Sequence, residues 1–314
     1  MDISENISYL YKKQEQLVDM NLNNIFTSPS TIKKNFYKIW NDIIQKIDLN
    51  ISANESFAEI KDLVIYDILD GTRSTLISKY PIDNRLEAGL YALNFIHTLK
   101  SLNAKNCYIM IHTAYNRERG KKEFNQILEK ILAGKPFVIK YAIQNNICCL
   151  CICSNNNFEY IDLLKDVYES TKKGIFNSIF LFDYNENWPF TKEGKNIFKN
   201  LPNIDVFIRH TKFQISGGWI PYKMTHSVFL YTQNGSTFSN WDSDELVALI
   251  ALALLAKLLH RGEVLNKTYT TKEEINYRYI LREKELFNKI ITLRKNPKKL
   301  FILGSPNGIY QFYY

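Results

Sequence analysis

No apolar run in this chain is long enough to span a bilayer: the longest, from Leu246 to Ala256, stops at Lys257. The first residues, MDISENISYLYKKQ, are acidic and polar and lack the apolar stretch of a secretory signal. These absences predict no integral membrane segment and a cytoplasmic location. Cysteine is scarce. Of five in 314 residues, Cys148, Cys149, Cys151 and Cys153 crowd into one run. A zinc site more usually brings two separated pairs or nearby histidines, and the run has neither. It reads as a buried strand of a reduced, intracellular protein. Clusters of basic and aromatic residues are also missing. The net charge of +8 is spread along the chain, which suits an anionic ligand better than nucleic acid.

What is present is ample material for a core, with 46% apolar and 14% aromatic residues. Short apolar runs alternate with helical patterns between residues 62 and 260. Strands are expected at Leu63–Leu69, Asn106–His112, Ile147–Cys153, Ser178–Phe182, Asp205–Arg209 and Ser227–Thr232. Helices are expected at Arg85–Leu102, Lys121–Ala133, Glu159–Lys173, Lys192–Asn200 and Asp244–His260. That alternation is the signature of right-handed βαβ units. It predicts an α/β fold with a mostly parallel central sheet of about six strands flanked by helices. Residues 1–60 form a helical extension, in which Ser28-Pro29-Ser30-Thr31 starts a helix running to Ile47. Residues 61–260 form the central domain. Residues 261–314 add a charged helix, Thr271 to Arg294, and two strands about Pro306-Asn307-Gly308. The helix from Asp244 is apolar on several faces, so it is buried on several sides or lies at a subunit interface.

Ligands of parallel sheets bind at the carboxyl ends of the strands. The first strand ends in a polar turn, Asp70-Gly71-Thr72-Arg73-Ser74. Gly71 lets the backbone approach a phosphate, free N–H groups point at it, and Arg73 adds charge-assisted bonds. Asp70 repels a phosphate, so its natural role is to hold a divalent metal that also touches a diphosphate. The same residues also suit an ordinary strand-to-loop turn, where Asp-Gly is common. Thr113 and Asn116 follow the second strand, and Arg209 ends the fifth.

The stretch Ile111-His112-Thr113-Ala114-Tyr115-Asn116-Arg117-Glu118-Arg119-Gly120-Lys121-Lys122-Glu123-Phe124 resembles a loop of the cis-prenyltransferases, undecaprenyl diphosphate synthase and its relatives. There, an aromatic-Ser-x-x-Asn-x-x-Arg stretch follows the second strand. Thr113, Asn116 and Arg119 take the Ser, Asn and Arg places. Asp70-Gly71-Thr72-Arg73-Ser74 stands where the family has Asp-Gly-Asn-Gly-Arg, in a form closer to its tuberculosinol-synthase-like branch. Arg85-Leu86-Glu87-Ala88-Gly89 resembles the Gly-His-x-x-Gly helix without its His. Phe182-Asp183-Tyr184 falls at an Asn-Tyr-Gly-Gly, and Asp205 to Arg209 matches an Asp-Leu-Val-Ile-Arg strand. The five pieces keep the family's order over residues 62–245.

The departures separate two diphosphate sites. Where chain-elongating members have an Arg and a Ser for the second diphosphate, this chain has Ile215 and Gly217. Where they have a magnesium-binding Glu, it has Val228. The resemblance therefore implies an allylic prenyl diphosphate held by Gly71, Thr72, Arg73, Ser74, Arg85, Thr113 and Arg209. Asp70, Asn116 and Arg119 act in catalysis, and Mg2+ binds through Asp70. It also implies a homodimer. The expected activity is ionisation of that substrate, the cation being quenched by water, by cyclisation or by a non-standard acceptor. Tyr115, Tyr184, Tyr222 and His226 are candidates to stabilise the cation or take a proton. Two alternatives stand: a chain-elongating synthase in which Lys212 or Lys223 restores the second site, and a non-catalytic partner subunit.

Overall fold

A computed structural model describes residues 26–47, 51–69, 86–155, 158–159, 161–210, 218–232, 241–265, 272, 289–305 and 308–314. Its helices are α1 (Pro29–Ile47), α2 (Ala53–Glu59), α3 (Leu86–Ser101), α4 (Lys121–Gln144), α5 (Ile161–Thr171), α6 (Lys192–Lys199) and α7 (Ser243–Leu265). Its strands are β1 (Val64–Ile68), β2 (Asn106–Met110), β3 (Ile147–Cys153), β4 (Phe176–Phe182), β5 (Val206–His210), β6 (Val228–Thr232), β7 (Lys289–Thr292), β8 (Leu300–Ser305) and β9 (Gly308–Tyr313).

Among the described residues one sheet runs in the order β3-β4-β2-β1-β5-β6-β8-β9-β7. The strands from β1 to β6 pair in parallel, and β8 is antiparallel to both β6 and β9. The expected α/β architecture and its six central strands are all present. The two strands expected at the C-terminal end are β8 and β9, and three strands from that segment extend the sheet, one more than the expectation. One of them corrects it: residues 289–292 form β7 rather than the end of a charged helix. Their β-branched side chains suit a pleated strand, and pairing with β9 from Lys289↔Tyr310 to Thr292↔Tyr313 decides the conformation. Most of the remaining stretch from Thr271 lies outside the described residues. The other difference is α4, which continues past Gly134 and Pro136 to Gln144.

Strand alternation gives the sheet two apolar faces. Ile65, Cys107, Ile109, Phe180, Ile208 and Leu230 pack toward α1, α3, α4, α5 and α7. Val64, Tyr66, Ile68, Tyr108, Ile179 and Phe207 pack with Trp188, Phe198 and Ile220 on the other face. Helix α1 starts at Ser28, whose hydroxyl takes the Thr31 N–H, with Pro29 in the first turn. Its buried stripe of Ile32, Phe36, Ile39, Trp40, Ile43 and Ile44 follows the helical period. That stripe packs against α7. Every residue of α7 from Leu246 to Ala256 is buried within this one chain, which accounts for its lack of a polar face. The cysteine run is β3, at one edge of the sheet. Burial pushes the Cys149 thiol up to about 12 and the Cys153 thiol to about 11, so both stay protonated at neutral pH.

On the second face three tyrosines pin irregular backbone. Tyr66 donates to the Gly218 carbonyl at 2.6 Å, Tyr108 to Pro202 at 2.7 Å, and Tyr184 to Trp219 at 2.5 Å. Gly218 has φ +91°, and a Cβ there would meet the Ile68 Cδ1 at 2.5 Å. Gly218→Ala is therefore expected to destabilise the protein by about 1–3 kcal/mol through overpacking and backbone strain. A chemical-denaturation midpoint that does not move would refute this.

Candidate functional site

The parallel strands place their carboxyl ends along one edge. β1 lies between β2 and β5, with Ile68 in register with Met110 on one side and Arg209 on the other. Adjacent strands are ~4.8 Å apart, so the ends of β2 and β5 flank the end of β1 closely. Asp70, Gly71, Thr72, Arg73, Ser74 and Arg85 lie outside the described residues. Leu69, which immediately precedes Asp70, is described.

Beyond β2 the chain makes a 3-10 turn, Ala114–Arg119, that brings Thr113 and Asn116 together. Asn116 Oδ1 accepts from the Thr113 N–H at 2.8 Å and from its hydroxyl at 3.1 Å, while the Asn116 N–H bonds the Thr113 carbonyl at 3.0 Å. This reciprocal cap is local chemistry that Thr-x-x-Asn encodes by itself. Thr113 also bridges Tyr184 in parallel, and the Ala114 N–H bonds the Tyr184 carbonyl at 2.9 Å. Arg119 ends the turn; its side chain is not among those described. Gly120 follows with φ +103°, a conformation that glycine enters without strain.

The residue that fastens this turn is Arg117, to which the sequence pattern by itself assigns no role. Its Nε bonds Asp183 Oδ1 at 3.0 Å and Oδ2 at 3.1 Å, and a terminal nitrogen bonds Oδ2 at 2.8 Å. The same guanidinium forms a fork with Glu159, both bonds 3.0 Å, and lies 4.3 Å over the Phe124 ring. Asp183 is 1% exposed, takes a further bond from Asn155 at 2.8 Å, and has φ +43°. Asp tolerates that left-handed conformation better than most residues. Its N–H donates to His112 Nδ1 at 3.2 Å. His112 sits among the rings of Phe124, Phe158 and Phe182, and its Nε2 finds no hydrogen-bond partner among the described residues. Burial foremost holds its pKa down at about 4, with the Arg117 charge acting in the same direction and Asp183 opposing.

Arg209 is buried at the end of β5, on the Phe207 face, in register with Tyr231 of β6. Asp205, which begins the matching stretch, serves the opposite edge. It takes the Val64 N–H at 2.8 Å and pairs with Lys257 of α7 at 3.1 Å. Lys223 is also at that amino edge. Its carbonyl accepts from Ile204 at 2.7 Å, and its ammonium donates to the Leu201 carbonyl at 2.5 Å. It therefore does not stand beside Arg209. Lys212, Ile215 and Gly217 lie outside the described residues. Val228 begins β6 at the amino edge, buried against the apolar core. Tyr222 and His226 flank Lys223 and the start of β6 at that same edge, and Tyr184 spends its hydroxyl on Trp219. Of the four proton or cation candidates, Tyr115 stands exposed in the turn at the carboxyl edge.

No protein-family model matches this sequence, and no curated protein sequence matches it. Solved structures do match. Lavandulyl diphosphate synthase from Lavandula x intermedia, solved in complex with dimethylallyl diphosphate, aligns over 62% of this chain and 96% of its own length. The two share 14% identity, with a TM-score of 0.52. This chain has that synthase's fold. A probable undecaprenyl diphosphate synthase from Campylobacter jejuni aligns over 60% of this chain and 93% of its own, at 13% identity and a TM-score of 0.47.

Proposed function

We propose that the chain is a prenyl diphosphate-processing enzyme that binds an allylic prenyl diphosphate at the carboxyl edge of β1, β2 and β5 and ionises it. The observation that carries this reading is the strand order β2-β1-β5. It sets the Thr113–Asn116 cap and the buried Arg209 on either side of the strand that leads into Asp70-Gly71-Thr72-Arg73. Arg73, Arg119 and Arg209 are the cations that stabilise the departing diphosphate, joined by backbone N–H groups after Asp70. Asn116 Oδ1 is engaged by Thr113, so Asn116 offers the substrate its amide N–H groups.

A site with the single carboxylate of Asp70 would suit Mg2+. Among the described residues no trio of His, Cys, Asp or Glu forms a protein cage. Magnesium at phosphates commonly takes one or two carboxylates and completes its shell with substrate oxygens and water. Asp70 supplies such a carboxylate. When bound, the ion neutralises charge on the leaving group.

The position of Lys223 at the amino edge favours a non-elongating enzyme over a chain-elongating one, because it removes one of the two lysines able to rebuild a second diphosphate site. The acceptor is then water, an internal double bond, or a nucleophile other than isopentenyl diphosphate, as in the tuberculosinol-synthase-like branch. Incubation with geranyl, farnesyl and geranylgeranyl diphosphates and magnesium tests this, with and without isopentenyl diphosphate. Diphosphate release and an alcohol or cyclic product without isopentenyl diphosphate are expected, both abolished in Asp70→Ala. Longer chains formed only with isopentenyl diphosphate would replace this reading with chain elongation. No turnover of any of the three would point to a non-catalytic subunit.

A further inference from the structure

Beneath the carboxyl edge, on the helix-covered face, lies a polar cluster that the proposed chemistry does not use. Asp67 of β1 and His210 of β5 both have fully buried side chains. His210 Nε2 is 2.8 Å from Asp67 Oδ1, and His210 Nδ1 is 2.6 Å from the Thr232 hydroxyl on β6. Tyr91 of α3 donates to Asp67 Oδ2 at 2.8 Å. Burial, with the Asp67 charge, pushes the Tyr91 hydroxyl far above its usual range, so it remains a donor. Trp241 closes the cluster, its ring 5.3 Å from His210 and 5.9 Å from Tyr91. Cys107 of β2 lies within reach of the Asp67 charge, and its thiol is held at about 12, chiefly by burial.

Hydroxyl, imidazole and carboxylate are connected here as in a nucleophile triad. Thr232 and His210 are buried, however, so the group works through its neighbours. Stability alone does not explain its presence, since replacing both partners of a buried hydrogen bond by apolar groups of similar shape is often nearly neutral. What hydrogen bonds add is direction. Backbone ladders hold β1, β5 and β6 in register, and these side chains tie the same three strands a second time, at fixed atoms on the helix-covered face. Asp67 stands three residues before Asp70, His210 directly follows Arg209, and Ile68 is in register with Arg209. We infer that Asp67 and His210 are positioning residues for diphosphate recognition: their hydrogen bond, steadied by Tyr91 and Thr232, sets how Arg209 stands to the chain entering Asp70. This rests on the diphosphate reading proposed above.

Calorimetric titration of the full chain with inorganic diphosphate and magnesium tests the inference, with folding checked by thermal midpoint. Asp67→Leu/His210→Leu is expected to fold and to bind about tenfold more weakly, ~1.4 kcal/mol. His210→Gln, whose amide still reaches Asp67, is expected to stay within about threefold of the parent. Tyr91→Phe, which removes one bond to Asp67 and little volume, is expected to weaken binding about threefold, and it serves should the double variant fail to fold. Parental affinity in the folded double variant, or in Tyr91→Phe, would overturn the inference and leave the diphosphate reading intact. So would His210→Gln binding as weakly as the double variant. A parent protein that does not bind diphosphate would remove that reading, and the inference with it.

Discussion

Arg117→Leu is expected to destabilise the protein by about 3–5 kcal/mol, the range for leaving one member of a buried ion pair without its partner. Asp183 accepts three bonds from Arg117 and one from Asn155. Without the guanidinium, a carboxylate almost sealed from water keeps a single donor. The fork to Glu159 contributes little to this loss, because Glu159 is half exposed and water replaces the lost bonds. Arg117→Lys is expected to fall between, since an ammonium supplies charge but not the planar fork that serves both carboxylates. Adding Asp183→Asn to Arg117→Leu removes the stranded charge and is expected to recover about 2 kcal/mol, a coupling that a double-mutant cycle reads directly. Urea midpoints measure all five proteins: the parent, Arg117→Leu, Arg117→Lys, Asp183→Asn and Arg117→Leu/Asp183→Asn. A loss under about 1 kcal/mol for Arg117→Leu would mean that Asp183 relaxes to water once freed, and would sink the prediction. The consequence extends to the site. Arg117 anchors the turn that carries Thr113, Asn116 and Arg119 to the end of β4, so diphosphate release should fall even at temperatures where Arg117→Leu remains folded.

The strands were legible because inner strands of a parallel sheet are buried on both faces and read as unbroken apolar runs. Ile179-Phe-Leu-Phe182 and Phe207-Ile208 need no context to be recognised as such. Helix α1 was legible from its apolar period and its Ser-Pro start. β7 was not, because four residues beside a run of Lys, Glu and Arg carry little signal of their own, and a partner strand some twenty residues away decides them. The Thr113–Asn116 cap was legible, its two residues being three apart. Arg117 was not, because Glu159 and Asp183 lie 42 and 66 residues further along the chain, and only the fold brings them to it. Asp67 was hidden in plain view. A single acid inside Val64-Ile-Tyr-Asp-Ile68 contradicts the apolar run around it, and such a residue must find its partner inside the protein. That partner, His210, is 143 residues away. The sequence therefore carried the local chemistry of the edge, whereas the ties that hold the edge in shape exist only across strands.

His112 makes the stability of this edge depend on pH. Its pKa is about 4 in the folded chain and 6.5 in an unfolded one. Folding therefore favours the neutral imidazole. The stabilisation is fully present above pH 6.5 and is lost as pH falls from there through about 4. The whole difference, at ~1.36 kcal/mol per pKa unit, is about 3 kcal/mol, and most of it is gone by pH ~4.5. The cause is geometric. The ring is packed among three phenylalanines, its Nδ1 takes the Asp183 N–H, and a second proton would have to displace that bond in an apolar setting. His112→Phe fits the same surroundings and removes the titrating group, at the cost of about 1 kcal/mol for the unpaired Asp183 N–H. Carboxylates elsewhere titrate equally in both proteins, so comparing the two cancels them. The stability lost between pH 7.5 and 4.5 is expected to be about 2 kcal/mol smaller in His112→Phe than in the parent. Equal losses would mean that His112 takes up its proton in the folded state without penalty, and that the aromatic packing around it opens to admit water.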